Sequence, residues 1–335
     1  MIEARIQLAD APAIPGLRFR MFDRTRDYEA FVALVGEANR TDRIDYLPTV
    51  ANLRLEHEHG GEFDPGRDLI LAEIDGAVIA AAETMVQTRD GIGVHHVEGW
   101  VHPAWRRRGL GRALLHWTER RAAEVARADG RPSERALTSW PDEDQRGAIA
   151  LYAAEGYGIV RYGYLMLRDL ADPIVDAALP DGLEVRPVEA ADHRRIWDAD
   201  VEAFRDHWNT AERTEADFES WFTAPELDTS LWRVAWHGDE VAGSVMTFVW
   251  PDENEGLGLS RGWLEHIGVR RPGRRKGLAS ALIADALHGL RAAGLAEAAL
   301  GVDAENLSGA LRVYEAMGFR RSRISVAYRK AFTAG

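Results

Sequence analysis

Two short runs carry the residue types that could do chemistry. Arg106-Arg107-Arg108-Gly109-Leu110-Gly111 and Arg274-Arg275-Lys276-Gly277-Leu278-Ala279 each set three cations against a glycine, with a small residue two positions further on. The first helical N–H groups have no partner within a helix and carry partial positive charge, so a basic loop that opens a helix holds phosphate well. Gly109 and Gly277 let a ligand approach the backbone closely. Gly111 and Ala279 keep the first turn open, with Arg112 and Ser280 following. One such loop is a weak signal, because basic loops are commonly solvated surface. Two in the same context point to a diphosphate-bearing ligand.

The context is a strand, a loop and a helix. Residues 97–101 and 263–269 read as strands. After the loops come apolar residues at helical spacing: Leu110, Leu114, Leu115, Thr118 and Ala122 in one run, Leu278, Leu282, Ile283, Ala286, Leu287 and Leu290 in the other. Three further echoes accompany these. Segment 17–23 (LRFRMFD) is echoed by 183–189, the hairpin-like 68–84 by 230–247, and 147–157 (GAIALYAAEGY) by 309–319 (GALRVYEAMGF). The hairpins turn at Asp-Gly or Gly-Asp. The offset between copies is 168 residues at the glycine loop and 162 at the tyrosines Tyr152 and Tyr314, so short insertions separate two copies of one unit. Boundaries of 1–170 and 183–335 follow, with the proline-containing stretch 171–182 as linker. Two domains suit 335 residues.

Composition narrows the chemistry. There is no cysteine, which removes a thiol nucleophile, a disulfide framework and a Cys-type zinc site, and no metal is expected. Any acyl transfer is direct or uses another nucleophile. The formal net charge of −13 disfavours nucleic acid and anionic membrane as partners. That acidity suits solubility first and attraction of a cationic acceptor second. No apolar run nears the roughly 20 residues of a membrane span, and the N-terminus lacks a signal-peptide pattern, so a cytoplasmic monomer or homodimer is expected.

With these motifs in place, the chain resembles the GCN5-related N-acetyltransferase (GNAT) family, once per half. The glycine loops resemble its pyrophosphate loop, and 306–319 is similar to its second signature. The tandem arrangement is loosely similar to that of the mycothiol synthases of actinobacteria. The resemblance implies an α/β fold: two tandem domains, each a mixed sheet flanked by helices and splayed between its fourth and fifth strands. It also implies acetyl-CoA as co-substrate. Its arm would pair with Ile267 and Val269, or with Val101 in the first half, and Gly268 would mark a bulge or bend. The carrier loop would be 274–280 (Arg274, Arg275, Lys276, Gly277, Ala279 and Ser280), matched by Arg106, Arg107, Arg108, Gly109, Gly111 and Arg112. Asn306 would touch the coenzyme, and Tyr314 would serve as acid near the sulfur, with Tyr152 as its counterpart.

Two positions depart from the family pattern. The frequent general base is a Glu five residues before the fourth-strand glycine, a place held here by Trp263 and, in the first half, by His95. Glu265, two residues on and on the same face of an extended strand, is the expected substitute. Asp144 stands where the second half has Asn306, which favours the second half as the more active site. Trp197, Phe204, Trp208, Phe218, Trp221 and Phe222, interleaved with Asp198, Asp200, Glu202 and Asp206, would line a pocket for a cationic acceptor. The resulting expectation is an N-acetyltransferase acting on a primary amine of a small molecule or peptide. The alternatives are a non-catalytic acyl-CoA sensor and a mycothiol-synthase-like acetyltransferase.

Overall fold

The structure is a computed structural model that describes residues 6–59, 63–128, 134–205, 207–208, 210, 213–223, 227–305 and 309–332. By contacts the chain forms two compact units, Met1–Arg161 with Val326–Gly335, and Tyr162–Ser325. No helix among the described residues is long and apolar enough to cross a membrane.

The first copy runs β1 (Arg18–Met21), α1 (Tyr28–Asp42), α2 (Val50–His59), α3 (Pro65–Asp68), β2 (Leu69–Ile74), β3 (Ala77–Arg89), β4 (Ile92–Val101), α4 (Leu110–Ala128), β5 (Arg135–Ser139), α5 (Arg146–Ala154) and β6 (Gly158–Asp169). Asp75-Gly76 closes the β2–β3 hairpin with φ of 50° and 83°, and Asp90-Gly91 closes β3–β4 with 49° and 76°. Two successive left-handed residues match the twist of the flanking strands, the reason Asp-Gly marks such turns. The strands alternate faces. Ile70, Ala72, Ala80 and Ala82 pack on Leu110, Ala113, Leu114 and Trp117 of α4. Leu69, Leu71 and Ala81 face Phe31, Leu34 and Val35 of α1 and Leu53 of α2. Each buried leucine-sized side chain contributes about 1.5–3 kcal/mol.

The second copy repeats the order: β7 (Glu184–Arg186), α6 (His193–Phe204), α7 (Glu215–Phe222), β8 (Arg233–His237), β9 (Glu240–Val249), α8 (Pro251–Leu257), β10 (Arg261–Val269), α9 (Leu278–Ala292), β11 (Glu297–Asp303), α10 (Ala310–Ala316) and β12 (Arg320–Phe332). Helix α8 stands where the first copy has the two-residue Asp90-Gly91 turn, one of the expected insertions. Ala235 and Val245 face the α9 core, whereas Val234, Trp236 and Met246 face Ile196 and Ala199 of α6.

Sheet order in the first unit is β1-β2-β3-β4-β5-β12, and in the second β6-β11-β10-β9-β8-β7. The pairs are antiparallel except β4–β5 and β10–β11, each joined through a crossover helix. These are the expected mixed sheets flanked by helices. The last strands, however, are exchanged. Residues 328–332 of β12 pair with β5, and 163–169 of β6 pair with β11. The compact units divide at 161/162 and 325/326. Alternating hydrophobicity marks a strand but not which edge it joins. The expected linker 171–182 is irregular but not loose, since Ile174 and Leu179 pack on the core of the second unit.

Candidate functional site

Each unit has a fork at its parallel strand pair. β10 pairs with β11 only at Arg261, Gly262 and Trp263. From Leu264 to Val269 it keeps β9 on one side and has no ladder on the other among the described residues. β4 leaves β5 after His96 and runs on to Val101 with β3 as its ladder partner among the described residues. Backbone N–H and C=O groups require partners. An open edge of this kind can pair with an extended ligand. Ile267 and Val269, and Val101, lie on these edges. The bulge lies elsewhere: the register slips between Leu264 and His266, which makes Glu265 the extra residue. Gly268 answers to packing instead, because a Cβ there would lie 3.2 Å from Ala203 Cβ of α6.

Beyond each fork the loops share one backbone. Arg107 and Gly109 have φ of 62° and 91°, Arg275 and Gly277 61° and 87°, while Arg108 and Lys276 between them stay at negative φ. Alternation of hand turns successive N–H groups toward one concavity, an anion-binding shape. Ala281 makes the first α9 bond, to the Gly277 carbonyl, and Ala113 the corresponding α4 bond to Gly109. The N–H groups of Leu278, Ala279 and Ser280 thus have no partner within the helix. Arg107, Arg108, Arg275 and Lys276 are exposed beside them.

Arg106 and Arg274, the first cation of each loop, are engaged within the protein. Arg274 donates to the Val269 carbonyl (3.0 Å) and the Ala203 carbonyl (3.1 Å). Arg106 donates to the Val101 carbonyl (3.0 Å) and pairs with Asp42 (2.6 Å). Arg106 ties the end of β4 to α1, and Arg274 ties the end of β10 to α6. Arg112 is likewise engaged, with Glu155 at 2.7 Å.

Tyr314 is buried in the α9 core, its ring 6.3 Å from Phe319, and burial pushes its phenol up to about 12. Tyr152 donates to the Val97 carbonyl (3.1 Å) at the first fork, and burial raises its phenol too. Glu265 is open to water, yet the surrounding protein desolvates its carboxyl and raises its pKa, with His266 partly opposing. Trp263 lies under the Arg261 guanidinium. His95 is not in the fork: it is buried in the paired part of β4, against Phe332. Asn306 lies outside the described residues, whereas Asp144, its counterpart, lines the first cleft.

Of the aromatic residues in the acceptor segment only Trp197 is buried, and Trp221 and Phe222 lie half-buried against the core of the second unit. Trp197 packs edge-on against Phe218 and Trp221, and Phe222 lies against Trp232. Arg213 pairs with the buried Asp200 (2.8 Å), and Arg270 with Glu202 (2.8 Å), so these acids are already neutralised; Asp206 is not described. One arrangement was not legible beforehand. His266 Nδ1 lies 3.0 Å from Asp200 Oδ2, with Trp221 against the imidazole ring. The two residues are far apart in the chain, and only packing of α6 on β10 joins them.

Two cavities lie in the first unit among the described residues. A cleft of about 460 Å³ runs from the fork past Val101, Arg107 and Gly111 to Tyr152. A chamber of about 370 Å³ lies under α1 and α2 and is lined by Glu56, Glu83, Glu98, Phe31 and Trp100 among others. Sequence reasoning missed these carboxylates. The signal was present: Glu83 and Glu98 each stand seven residues out from the Asp90-Gly91 turn, and they pair across β3–β4.

The sequence pattern of the Acetyltransferase (GNAT) family matches residues 193–319, and that of the Acetyltransferase (GNAT) domain matches 65–159. A mycothiol acetyltransferase of Geodermatophilus obscurus is 32% identical over 305 residues, 90% of this chain and 94% of that protein. One of Kineococcus radiotolerans is 34% identical over 309 residues, 90% and 92% of the two chains. The chain belongs to the GNAT family. It is an acyltransferase, and both halves are GNAT domains. A GCN5-related N-acetyltransferase from Sphaerobacter thermophilus superposes with a TM-score of 0.73 at 25% identity, covering 96% of this chain and 97% of that one. A tandem GNAT protein of the clavulanic acid biosynthesis pathway shares the fold, with a TM-score of 0.63 at 20% identity over 95% and 99% of the chains.

Proposed function

We propose that this GNAT protein moves the acetyl group of acetyl-CoA directly onto a primary amine of a small molecule or peptide, with the second unit's fork as a working site. The observation that carries the reading is the continuity of an open strand edge (264–269) with a concave basic loop at a helix N-terminus. An amide-bearing arm suits the edge, and a diphosphate suits the loop. Arg275, Lys276, Gly277, Ala279 and Ser280 would hold the phosphates, and Ile267 and Val269 the arm.

The chemistry follows from proton accounting. An alkylammonium of pKa about 10.4 is free amine only about once in 2,500 at pH 7, a cost of roughly 4–5 kcal/mol. Glu265, with its raised pKa, takes that proton. The amine nitrogen attacks the thioester carbonyl, whose oxygen gains charge beside the strand N–H groups. Tyr314 donates toward the departing sulfur. With no cysteine in the sequence, a thiol-bound acyl intermediate on the protein has no residue to form on.

A second reading, a mycothiol-type acetyltransferase acting on a related amine, is favoured by relatives that share that name and match nearly end to end. Thiol release from acetyl-CoA against a panel of amines, followed by mass spectrometry, tests the acceptor. Calorimetry of Gly277→Glu tests the loop: the variant should lose acetyl-CoA binding in the second unit, and unchanged stoichiometry and affinity would refute the assignment.

A further inference from the structure

We propose that the first unit carries an acetyl-transfer site of its own, in which Glu98 deprotonates a cationic amine held in the chamber under α1 and α2. The inference rests on the acetyl-transfer reading above and adds a second acceptor site to it.

Three observations converge. Glu98 and Trp100 line both the cleft that continues from the glycine loop and the chamber, so the two spaces meet at the open part of β4. A donor in one and an acceptor in the other would meet at Glu98. Second, Glu98 occupies the repeat position held in the second unit by His266, at the same 168-residue offset as the glycine loops. Third, the chamber gathers three carboxyls with no cation paired to them among the described residues. Glu83 faces Glu98 across the ladder, Glu56 approaches from α2, and none of the three makes a hydrogen bond or ion pair among the described residues. Like charges directly opposite on a sheet repel. Desolvation raises all three carboxyls, and repulsion from the neighbouring carboxylates adds to it at Glu98 and at Glu83, which is pushed up to about 8.

The remaining ionisable groups of the lining do not relieve this. Burial holds His57 and His96 near 4, hence neutral, and Arg89 donates to Gln87. Phe31, Tyr46 and Trp100 add aromatic wall, which suits an ammonium on an apolar or aromatic body. The step balances. The ammonium gives one proton to Glu98, and the free amine attacks the acyl carbon. The C–N bond forms as the C–S bond breaks, the second nitrogen proton goes to the thiolate, and Glu98 returns its proton to water.

The test uses the full chain with Gly277→Glu, which silences the second loop, and the probes tyramine, glucosamine and spermidine. Amine-dependent thiol release should persist in this variant. Adding Glu98→Gln should lower kcat about 10²-fold while acetyl-CoA affinity stays within about twofold, and Glu98→Asp should recover part of the rate. If the wild type turns over a probe and Gly277→Glu does not, or if Glu98→Gln leaves the rate unchanged, the first-unit site is refuted while acetyl transfer stands. If the wild type neither binds acetyl-CoA nor turns over any probe, both readings fall.

Discussion

Tyr314 has a phenol raised to about 12 by burial, so it stays protonated near neutral pH and keeps an O–H to donate. Tyr314→Phe should lower kcat about 10-fold to 100-fold with acetyl-CoA affinity nearly unchanged, as read by steady-state rates and calorimetry. An unaltered rate would make the tyrosine a packing residue. Glu265 gives a pH signature instead. Its carboxyl sits above the ordinary value because desolvation disfavours the charged form. The basic form therefore appears only as pH climbs through that raised value, and kcat/KM should rise there. Glu265→Gln should abolish this limb and leave a rise that follows the free amine toward about 10.4. A wild-type profile retained in the variant would transfer the role to His266, which is backed by Asp200.

At the scale of the element, the two glycine loops divide their cations by function. Arg274 is a brace from loop to strand end and helix, and Arg275 and Lys276 remain exposed at the concavity. Arg274→Met should cost about 1–3 kcal/mol of stability in urea unfolding, because it leaves two partly buried carbonyls short of a donor. Lys276→Ala should cost no comparable stability. It should weaken acetyl-CoA binding about 3-fold to 10-fold at low salt, and less at high salt as screening grows. The opposite pattern in paired titrations at two ionic strengths would reverse the assignment. The forks themselves rest on sheet geometry: both parallel ladders end early, and both strands run on into a loop with the same alternation of φ.

For the whole molecule, the exchanged last strands tie each half's folding to the other half. Residues 1–170 made alone would lack β12, so β5 would keep an open edge and the Tyr152–Tyr328 stacking would be lost. Residues 171–335 made alone would lack β6, the partner of β11. Neither fragment should unfold cooperatively by itself, and mixing the two should restore a cooperative transition and acetyl-CoA binding. Deleting 326–335 should likewise destabilise the first unit. If 1–170 alone melted sharply and bound acetyl-CoA, the exchange would be dispensable.

Much of this was written locally. Two copies, their order of elements, the Asp-Gly hairpins and the phosphate-type loops all follow from residue type and spacing, because turn chemistry and periodicity act over a few residues. The direction of Arg106 and Arg274 was not legible, since their carbonyl and carboxylate partners come from other elements. Nor was the bulge at Glu265, where one extra residue changes which side chains share a face. The Asp200–His266 contact and the chamber that gathers Glu56 with Glu83 and Glu98 belong to the same class. So does the exchange of β6 and β12. A strand's pattern states that one face is buried, and only the packed structure decides against which neighbour.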